Sequence, residues 1–220
     1  MFALPDHLGR DAARPLRVVC LGAHADDIEI GAGGTLLRLT AERPHVRVQW
    51  IVLSGGETDR EAEARASAAA FLASAEHAGV EVHTLRDGLF PQDAEALRAL
   101  LRARRDAEPA DLVLTHRLDD AHQDHRAVAQ ATWQTFRGTP QIAAYEIPKW
   151  DGDLGRPNAY VALDDATAAR KAELLGRHFP SQAGKPWFDT ETFLGLMRVR
   201  GVEAQARYAE AFDCPKLVWR

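Results

Sequence analysis

Strand-like and helix-like patterns alternate along this chain, and the alternation constrains the fold more than any other feature. Short apolar runs typical of buried strands precede longer helix-forming segments, at spacings of roughly 30 residues. Parallel strands need such crossover helices. The pattern therefore predicts an α/β, Rossmann-like fold with a mainly parallel sheet flanked by helices. The predicted strands are 16–21, 46–53, 80–85 and 111–115, and the predicted helices are 33–41, 60–77, 93–106 and 127–136.

Length and composition set the class of protein. The 220 residues suit one domain over 1–220 that begins with a surface arm at 1–15. A net charge of -5 argues against a nucleic-acid partner. No apolar run reaches the length of a membrane span, the N-terminus lacks a signal-peptide core, and two cysteines form no disulfide framework. We expect a cytoplasmic protein, and the sequence leaves a homo-oligomer open.

A charged cluster directly follows the first predicted strand. It contains His24, Asp26, Asp27 and Glu29. In open α/β sheets, ligands bind at the loops that follow the carboxyl ends of strands. Carboxylates this close together are costly unless a cation neutralises them. Taken alone, the cluster is equally typical of a solvated acidic loop that caps the next helix.

A second cluster follows the strand at 111–115 and leads into the helix at 127–136. It contains three imidazoles and three carboxylates, which are His116, Asp119, Asp120, His122, Asp124 and His125. Parallel strands bring this cluster to the sheet edge that carries His24. His122 and His125 are three residues apart and share one face of a first helical turn. Two such clusters at one edge favour a metal site over solvated surface.

The two clusters resemble the signature motifs of the PIG-L (LmbE-like) zinc-dependent N-deacetylases. The segments that carry the resemblance are 23–29 with 31–36, and 120–128. Further segments are similar to the family's late strand and loop (145–148 and 157–158) and to its C-terminal helix region (181–182, 200–201 and 208–212). The resemblance therefore covers nearly the whole chain. Two positions depart from it: Ala25 replaces a usual proline, which leaves the loop freer, and Asp119 and Asp120 stand where some members place a tyrosine.

The resemblance implies a zinc-dependent hydrolase that removes the acetyl group from an N-acetylated amino sugar or its conjugate. His24, Asp27 and His125 match the ligand positions for one zinc ion per chain, or another divalent metal. Zinc lowers the pKa of a bound water toward ~7, and Asp26 would act as the general base.

Two further residues of the second motif receive roles from the resemblance. An imidazolium at His122 would stabilise the oxyanion and protonate the leaving amine. Asp124 would orient His122 or His125, although capping of the helix is nearly as good an explanation. Two further roles are less well supported. Glu29 would support the ligands from behind, and Arg65 would contact a substrate hydroxyl.

Three segments are expected to line the substrate pocket, namely 54–60, 87–92 and 148–160. Trp150, Trp187 and Phe188 are candidates to stack on a sugar ring, with burial in the core as the alternative use of each. The acetylated substrate could be a free amino sugar or one attached to a lipid, a thiol precursor or an antibiotic scaffold.

Two other functions stay open. Residues 29–34 imitate the acidic-x-Gly-x-Gly pattern of an S-adenosylmethionine-dependent methyltransferase, but a charged segment separates them from the first strand and the second cluster would have no role. A non-catalytic sugar- or metal-binding module could use the same fold. Acetate release separates the enzyme from the binding module, and loss of activity on chelation separates the deacetylase from the methyltransferase.

Overall fold

A computed structural model describes residues 14–138 and 140–216, so most of the predicted arm at 1–15 lies outside the described residues. The strands are β1 (Leu16–Gly22), β2 (Val46–Val52), β3 (His77–Val82), β4 (Leu112–His116), β5 (Gln141–Tyr145), β6 (Ala159–Leu163) and β7 (Tyr208–Asp213). The helices are α1 (Asp27–Glu42), α2 (Asp59–Phe71), α3 (Ala94–Ala107), α4 (Gln123–Phe136), α5 (Asp165–His178) and α6 (Thr190–Glu203), with a short 3-10 turn at Pro180–Gln182. None of the described helices combines the length and apolar character that crossing a bilayer requires.

The strands form one sheet in the order β3-β2-β1-β4-β5-β7-β6. Strands β1 to β5 pair in parallel, whereas β7 runs antiparallel to both β5 and β6. This arrangement confirms the predicted α/β fold with a mainly parallel sheet. The chain order reverses between β1 and β4, and such a switch point opens a crevice at the carboxyl ends of the two strands. The two charged clusters follow β1 and β4.

Strand β1 lies at the centre of the sheet and is covered on both faces. Val18 and Cys20 belong to one apolar core, which includes the fully buried Trp50, whereas Val19 and Leu21 belong to a second core on the opposite face. Burial on both faces explains the continuous apolar run of this strand, because a strand covered on one face alternates instead. The core thus holds the carboxyl end of β1 rigidly beneath the first cluster.

Helix α1 begins at Asp27 and not at residue 33, so the predicted start of this helix is wrong. The helix therefore also contains Gly31, and Gly31, Gly33 and Gly34 let other elements pack closely against it. A Cβ atom at Gly31 would lie 2.1 Å from the Tyr145 ring, and one at Gly33 would lie 2.6 Å from the Phe71 ring. The glycines serve close packing, which local sequence patterns do not reveal.

Helix α2 ends at Phe71, so its predicted extension to residue 77 is also wrong. The alanine-rich sequence favours helix, but residues 77–82 pair in parallel with β2, with Arg47 opposite His77. Strand β3 therefore starts earlier than predicted, and Gly79 lies within it. The segment 208–212, which resembled part of a C-terminal helix region, lies in β7. Strand pairing overrides helix propensity at these places.

Gly31→Ala is expected to lower the free energy of unfolding by about 1–3 kcal/mol or more, because the added methyl group overpacks the helix against Tyr145. The matched control is Gly195→Ala in α6, where an added Cβ has no atom within 4 Å. That control should gain roughly 0.5–1 kcal/mol from the higher helix propensity of alanine. Chemical denaturation measures both changes, and equal effects of the two substitutions would contradict the packing role.

Candidate metal centre

Three side chains from the two loops converge at the switch point. The Nε2 atom of His125 lies 3.3 Å from Nδ1 of His24, and the Asp27 carboxylate lies 3.4 Å from each of these nitrogens. Asp27 and His125 are buried, and His24 is partly exposed. The structure therefore brings together the three residues that match the predicted ligand positions.

The tautomers of the two imidazoles follow from their other contacts. Nε2 of His24 lies 3.3 Å from Asp124 and 3.0 Å from Asp87, and Nδ1 of His125 lies 2.9 Å from Asp120. Each ring has its shorter carboxylate contact at this nitrogen, since the other nitrogen lies 3.4 Å from Asp27, and a proton on the closer side leaves the lone pairs on Nδ1 of His24 and Nε2 of His125. Both lone pairs point into the gap beside Asp27, as a pair of metal ligands requires.

Asp27 is held as an anion. It is the first residue of α1, and its carboxylate accepts the backbone N–H of His24 at 2.7 Å. Burial opposes ionisation, yet the nearby imidazoles of His125 and His116 hold the pKa of Asp27 well below its usual range. Burial likewise opposes protonation of His125, but Asp27 and Asp120 raise the pKa of that imidazole to about 9. A cation bound here would take the place of these protons.

Asp124 contacts a different imidazole from the two that were predicted. Its carboxylate faces Nε2 of His24, not a nitrogen of His122 or His125, and it accepts the backbone N–H groups of Gly88 at 2.6 Å and Phe90 at 3.0 Å. The reason is geometric, because Asp124 lies in the first turn of α4 and points toward the loop before α3. The carboxylate that orients His125 is Asp120, which the sequence reasoning assigned no role.

Asp26 lies directly before α1 and beside the convergence point. Its φ of 150° places it in a region that favours glycine, and Arg60 holds it with a 3.1 Å ion pair. Arg60 also donates to the carbonyl of Ala25, so side-chain contacts hold the loop where the usual proline is absent. Burial and the neighbouring Asp27 raise the pKa of Asp26 to about 6. The carboxylate is thus a base that titrates close to neutral pH.

His122 is a hydrogen-bond donor in its neutral form. It caps α4, and its Nδ1 accepts the backbone N–H of Asp124 at 3.2 Å, which leaves the ring proton on Nε2. Burial and the imidazoles of His125 and His24 lower its pKa. The lowered pKa favours the neutral ring over the predicted imidazolium. The His122 centroid lies 4.9 Å from that of His24, so the ring lies beside the convergence point.

Three residues of the site were missed by the sequence reasoning. Asp120 orients His125, Arg60 holds Asp26, and His116 lies 3.3 Å from Asp27 with its Nε2 accepting the backbone N–H of Ala23. Burial lowers the pKa of His116 to about 4, so this ring is neutral. His116 and Asp120 were visible as members of the second cluster, whereas Arg60 offered no local signal.

The residues expected to contact substrate differ in exposure. Trp150 is 67% exposed and lies edge-to-face with Trp187 at 6.1 Å, whereas Phe188 is buried and packs against Phe179 and Phe193. Arg65 pairs with Glu61 on the surface of α2. Among these candidates, only Trp150 presents a large exposed ring.

Glu29 is buried in the first turn of α1, and its Oε2 atom has no hydrogen-bond partner among the described residues. Burial raises its pKa to about 8 from an ordinary 4.5. Between pH 4.5 and about pH 8 the Glu29 carboxyl group is protonated in the folded state and ionised in the unfolded state. The free energy of unfolding should therefore fall as pH rises, by roughly 1 kcal/mol per pH unit. Glu29→Gln should remove this dependence.

Chemical denaturation of the parent and of Glu29→Gln at pH 5 and pH 8 would test the role of this carboxyl group. The matched control is Glu95→Gln, because Glu95 is exposed in the first turn of α3. The control should keep the parental pH dependence. A Glu29→Gln protein that loses as much stability between the two pH values as its parent would refute the assignment.

The donor set fits a divalent cation. Two imidazole nitrogens and one carboxylate lie within 4.8 Å of one another, and each imidazole has a carboxylate on its far nitrogen. Two other triplets, His24–His122–Asp124 and His116–Asp120–His125, also meet this distance. In both of these, however, the carboxylate already faces the protonated nitrogen of an imidazole in the first set. Asp124 faces Nε2 of His24, and Asp120 faces Nδ1 of His125. The His24–Asp27–His125 set is therefore the best cation site.

Comparison with known proteins relates this geometry to a family. A family model for PIG-L, described as GlcNAc-PI de-N-acetylase, matches residues 19–136. The uncharacterized deacetylase YaiS of Escherichia coli (strain K12) is 31% identical over 172 residues, which are 73% of this chain and 89% of that protein.

Solved structures share the fold. The N,N'-diacetylchitobiose deacetylase of Pyrococcus horikoshii superposes with a TM-score of 0.68 at 20% identity, over 95% of this chain and 88% of that one. GalB, the 4-carboxy-2-hydroxymuconate hydratase of Pseudomonas putida KT2440, superposes with a TM-score of 0.62 at 20% identity, over 93% and 99% of the two chains. Because enzymes with such different reactions share this fold, likeness at this identity shows the fold alone.

Proposed function

Because the chain belongs to the PIG-L family of de-N-acetylases, we propose that it is a zinc-dependent hydrolase that removes the acetyl group from an N-acetylated amino sugar or a conjugate of one. The observation that carries the proposal is the convergence of His24 Nδ1, Asp27 and His125 Nε2, with Asp26 beside them. Two nitrogens and one oxygen suit the three protein ligands of a catalytic zinc site. A bound divalent cation would polarise the amide carbonyl and activate water.

Asp26 is the proposed general base. Its pKa of about 6 leaves it largely ionised at neutral pH, so it can accept a proton from the attacking water. As the C–N bond breaks, the same carboxyl group can return that proton to the amine nitrogen, which leaves acetate and a free amine. Arg60 keeps the carboxylate in place during these transfers.

His122 is the proposed oxyanion donor. Its neutral Nε2–H can donate a hydrogen bond to the oxygen that gains charge when water adds to the amide carbon. Because the pKa of the His122 ring is lowered, the ring does not readily carry a second proton at neutral pH. Asp26 is therefore assigned as the donor of a proton to the leaving amine. Asp124 positions His24 and, through its backbone N–H, His122.

An amino sugar is the proposed substrate class. The family description names a GlcNAc conjugate, and N,N'-diacetylchitobiose is the substrate in the name of the Pyrococcus enzyme. The exposed ring of Trp150 offers an apolar face of the kind that stacks on sugars. Trp150 directly follows Lys149 in the chain, and Lys149 contacts Asp120 of the second cluster.

The alternatives are less well supported by the structure. A methyltransferase would need a glycine-rich loop after β1, but Gly31, Gly33 and Gly34 lie inside α1, where they pack against Tyr145, Phe71 and Leu163. A non-catalytic binding module has no need for a buried base next to the ligands. Neither alternative explains Asp26.

An acetate-release screen over N-acetyl amino sugars, with zinc-loaded protein, tests the proposed function. We expect acetate and a free amine in equal amounts from at least one substrate, loss of activity on chelation, and recovery on adding zinc. The Asp26→Asn protein, loaded with the same amount of zinc, is the matched control. Binding of an amino sugar without acetate release would favour the binding module, and activity unchanged by chelation would refute the metal-dependent mechanism.

A further inference from the structure

Lys149 lies in the connection between β5 and β6, and its side chain is largely buried. Only 7% of its side chain is exposed, and its ammonium group lies 3.1 Å from Asp120 Oδ1, 3.0 Å from Asp153 Oδ2 and 3.6 Å from Asp151 Oδ2. A buried lysine needs such partners, because an unpaired charge in the interior is costly. These contacts give Lys149 a defined position beside the second cluster.

Asp120 joins this lysine to a proposed metal ligand. Its Oδ2 faces Nδ1 of His125 at 2.9 Å, while its Oδ1 accepts the backbone N–H of His122 at 2.8 Å and lies next to Lys149. The two oxygens of the Asp120 carboxylate therefore have different partners. The contact with Lys149 helps to fix which oxygen faces the imidazole, and that orientation keeps the lone pair of His125 on Nε2.

Asp153 completes the link between the two segments. It accepts the backbone N–H of Ala121 at 2.7 Å, and its own backbone carbonyl accepts a hydrogen bond from Arg117 at 2.8 Å. Lys149 binds Asp153 and Asp120 together, so the connection after β5 is joined directly to the loop that carries His122. The proposed mechanism does not use any of these contacts.

We propose that Lys149 is a positioning residue of the metal centre, which acts on His125 through Asp120. The inference rests on the proposed metal-dependent function and deepens it. The ammonium group compensates the buried carboxylate and holds it in the orientation that directs the Nε2 lone pair of His125 toward Asp27. Without this cation, Asp120 Oδ1 keeps only the backbone N–H of His122, and the carboxylate holds the His125 ring less firmly.

Zinc affinity of the Lys149→Met protein, measured by competition with a chromogenic chelator, tests the proposal without using activity. We expect the affinity to fall by about 10- to 100-fold, the range for residues that support a metal ligand. Lys149→Arg keeps the charge and should recover most of the affinity. The Co²⁺-loaded Lys149→Met protein should also show a changed visible absorption spectrum, because the geometry of the ligands differs.

The matched control is Arg200→Met. Arg200 is a second buried cation that anchors the same connection, through Glu146 at 2.6 Å and the carbonyl of Gly155 at 3.2 Å, and its described contacts do not include Asp120. Both substitutions should lower the melting temperature, but only Lys149→Met should lower zinc affinity. An equal loss of affinity in the two proteins would show that Lys149 merely anchors the loop, and would overturn the proposal.

Two further outcomes distinguish failure of the positioning role from failure of the proposed reaction. Parental zinc affinity in Lys149→Met overturns the inference, even if the parent releases acetate as proposed. A Lys149→Met protein that loses zinc affinity supports the inference even if no acetate is released, in which case the proposed reaction fails and the positioning role stands. If Lys149→Met does not fold, Lys149→Gln replaces it, and parental affinity and spectrum in that protein overturn the proposal.

Discussion

Asp26→Asn is expected to lower turnover by about 10²-fold or more while the metal content stays near the parental value. An amide cannot accept the proton of the attacking water, whereas the proposed ligands His24, Asp27 and His125 are unchanged. Asparagine suits this position because it has the same size and shape as the aspartate that already adopts a φ of 150° here. The substitution therefore removes the base with little reason for the fold to change.

The pH–rate profile is the sharper readout for Asp26. Burial and Asp27 raise the pKa of Asp26 to about 6, so the ionised base is present above this pH and is lost as the pH falls through it. The parental kcat/KM should therefore fall on the acidic side, at or somewhat below pH 6 because a bound cation favours the anion. Asp26→Asn should lack this limb.

Metal content, melting temperature and turnover should be measured together on Asp26→Asn and its parent. If Asp26 has only a structural role, the loss of activity should follow the loss of thermal stability, and activity should return to the parental value at temperatures where the variant is fully folded. Parental turnover in Asp26→Asn, or loss of its metal, would show that Asp26 is not the base.

Asp27→Asn and His125→Ala are expected to lose the metal as well as the activity. A neutral amide is a weaker zinc ligand than a carboxylate, and removal of the His125 imidazole leaves only two of the three proposed ligands. We expect His125→Ala to abolish high-affinity binding, and Asp27→Asn to reduce both affinity and turnover. The parent should hold about one ion per chain.

Elemental analysis after extensive dialysis measures the metal content of these proteins. His45→Ala is the matched control, since His45 is an exposed histidine that pairs with Glu76 on the surface. It should keep the parental metal content. Retention of metal by His125→Ala at the parental level would refute the assignment of the ligands.

The sequence by itself determined the class of fold and the region of the site. Apolar runs such as 16–21 and 111–115, each followed by a helical pattern, are sufficient to predict a parallel sheet, because other arrangements cannot accommodate βα units of this length. Since parallel strands end at one edge, the position of His24 after one strand and His125 after another already predicts that they meet. The structure places them together, and their role as ligands stays a proposal.

Element boundaries followed from tertiary contacts. The glycines of α1 pack closely against Tyr145 and Phe71, and the segment after α2 pairs with β2, with His77 opposite Arg47. These partners are distant in the sequence. Local patterns therefore predict a late start for α1 and a late end for α2, and neither boundary agrees with the structure.

Only the tertiary structure decided which groups support the proposed ligands. Asp120 and Asp124 were both candidates from the second cluster, but the direction of each side chain in the first turn of α4 and the loop before it determines which imidazole it reaches. Arg60 and Lys149 come from other segments, and they lie at the site because buried carboxylates there need cations. The sequence thus specified which chemistry could assemble at the sheet edge, and long-range packing decided the partner of each charged group.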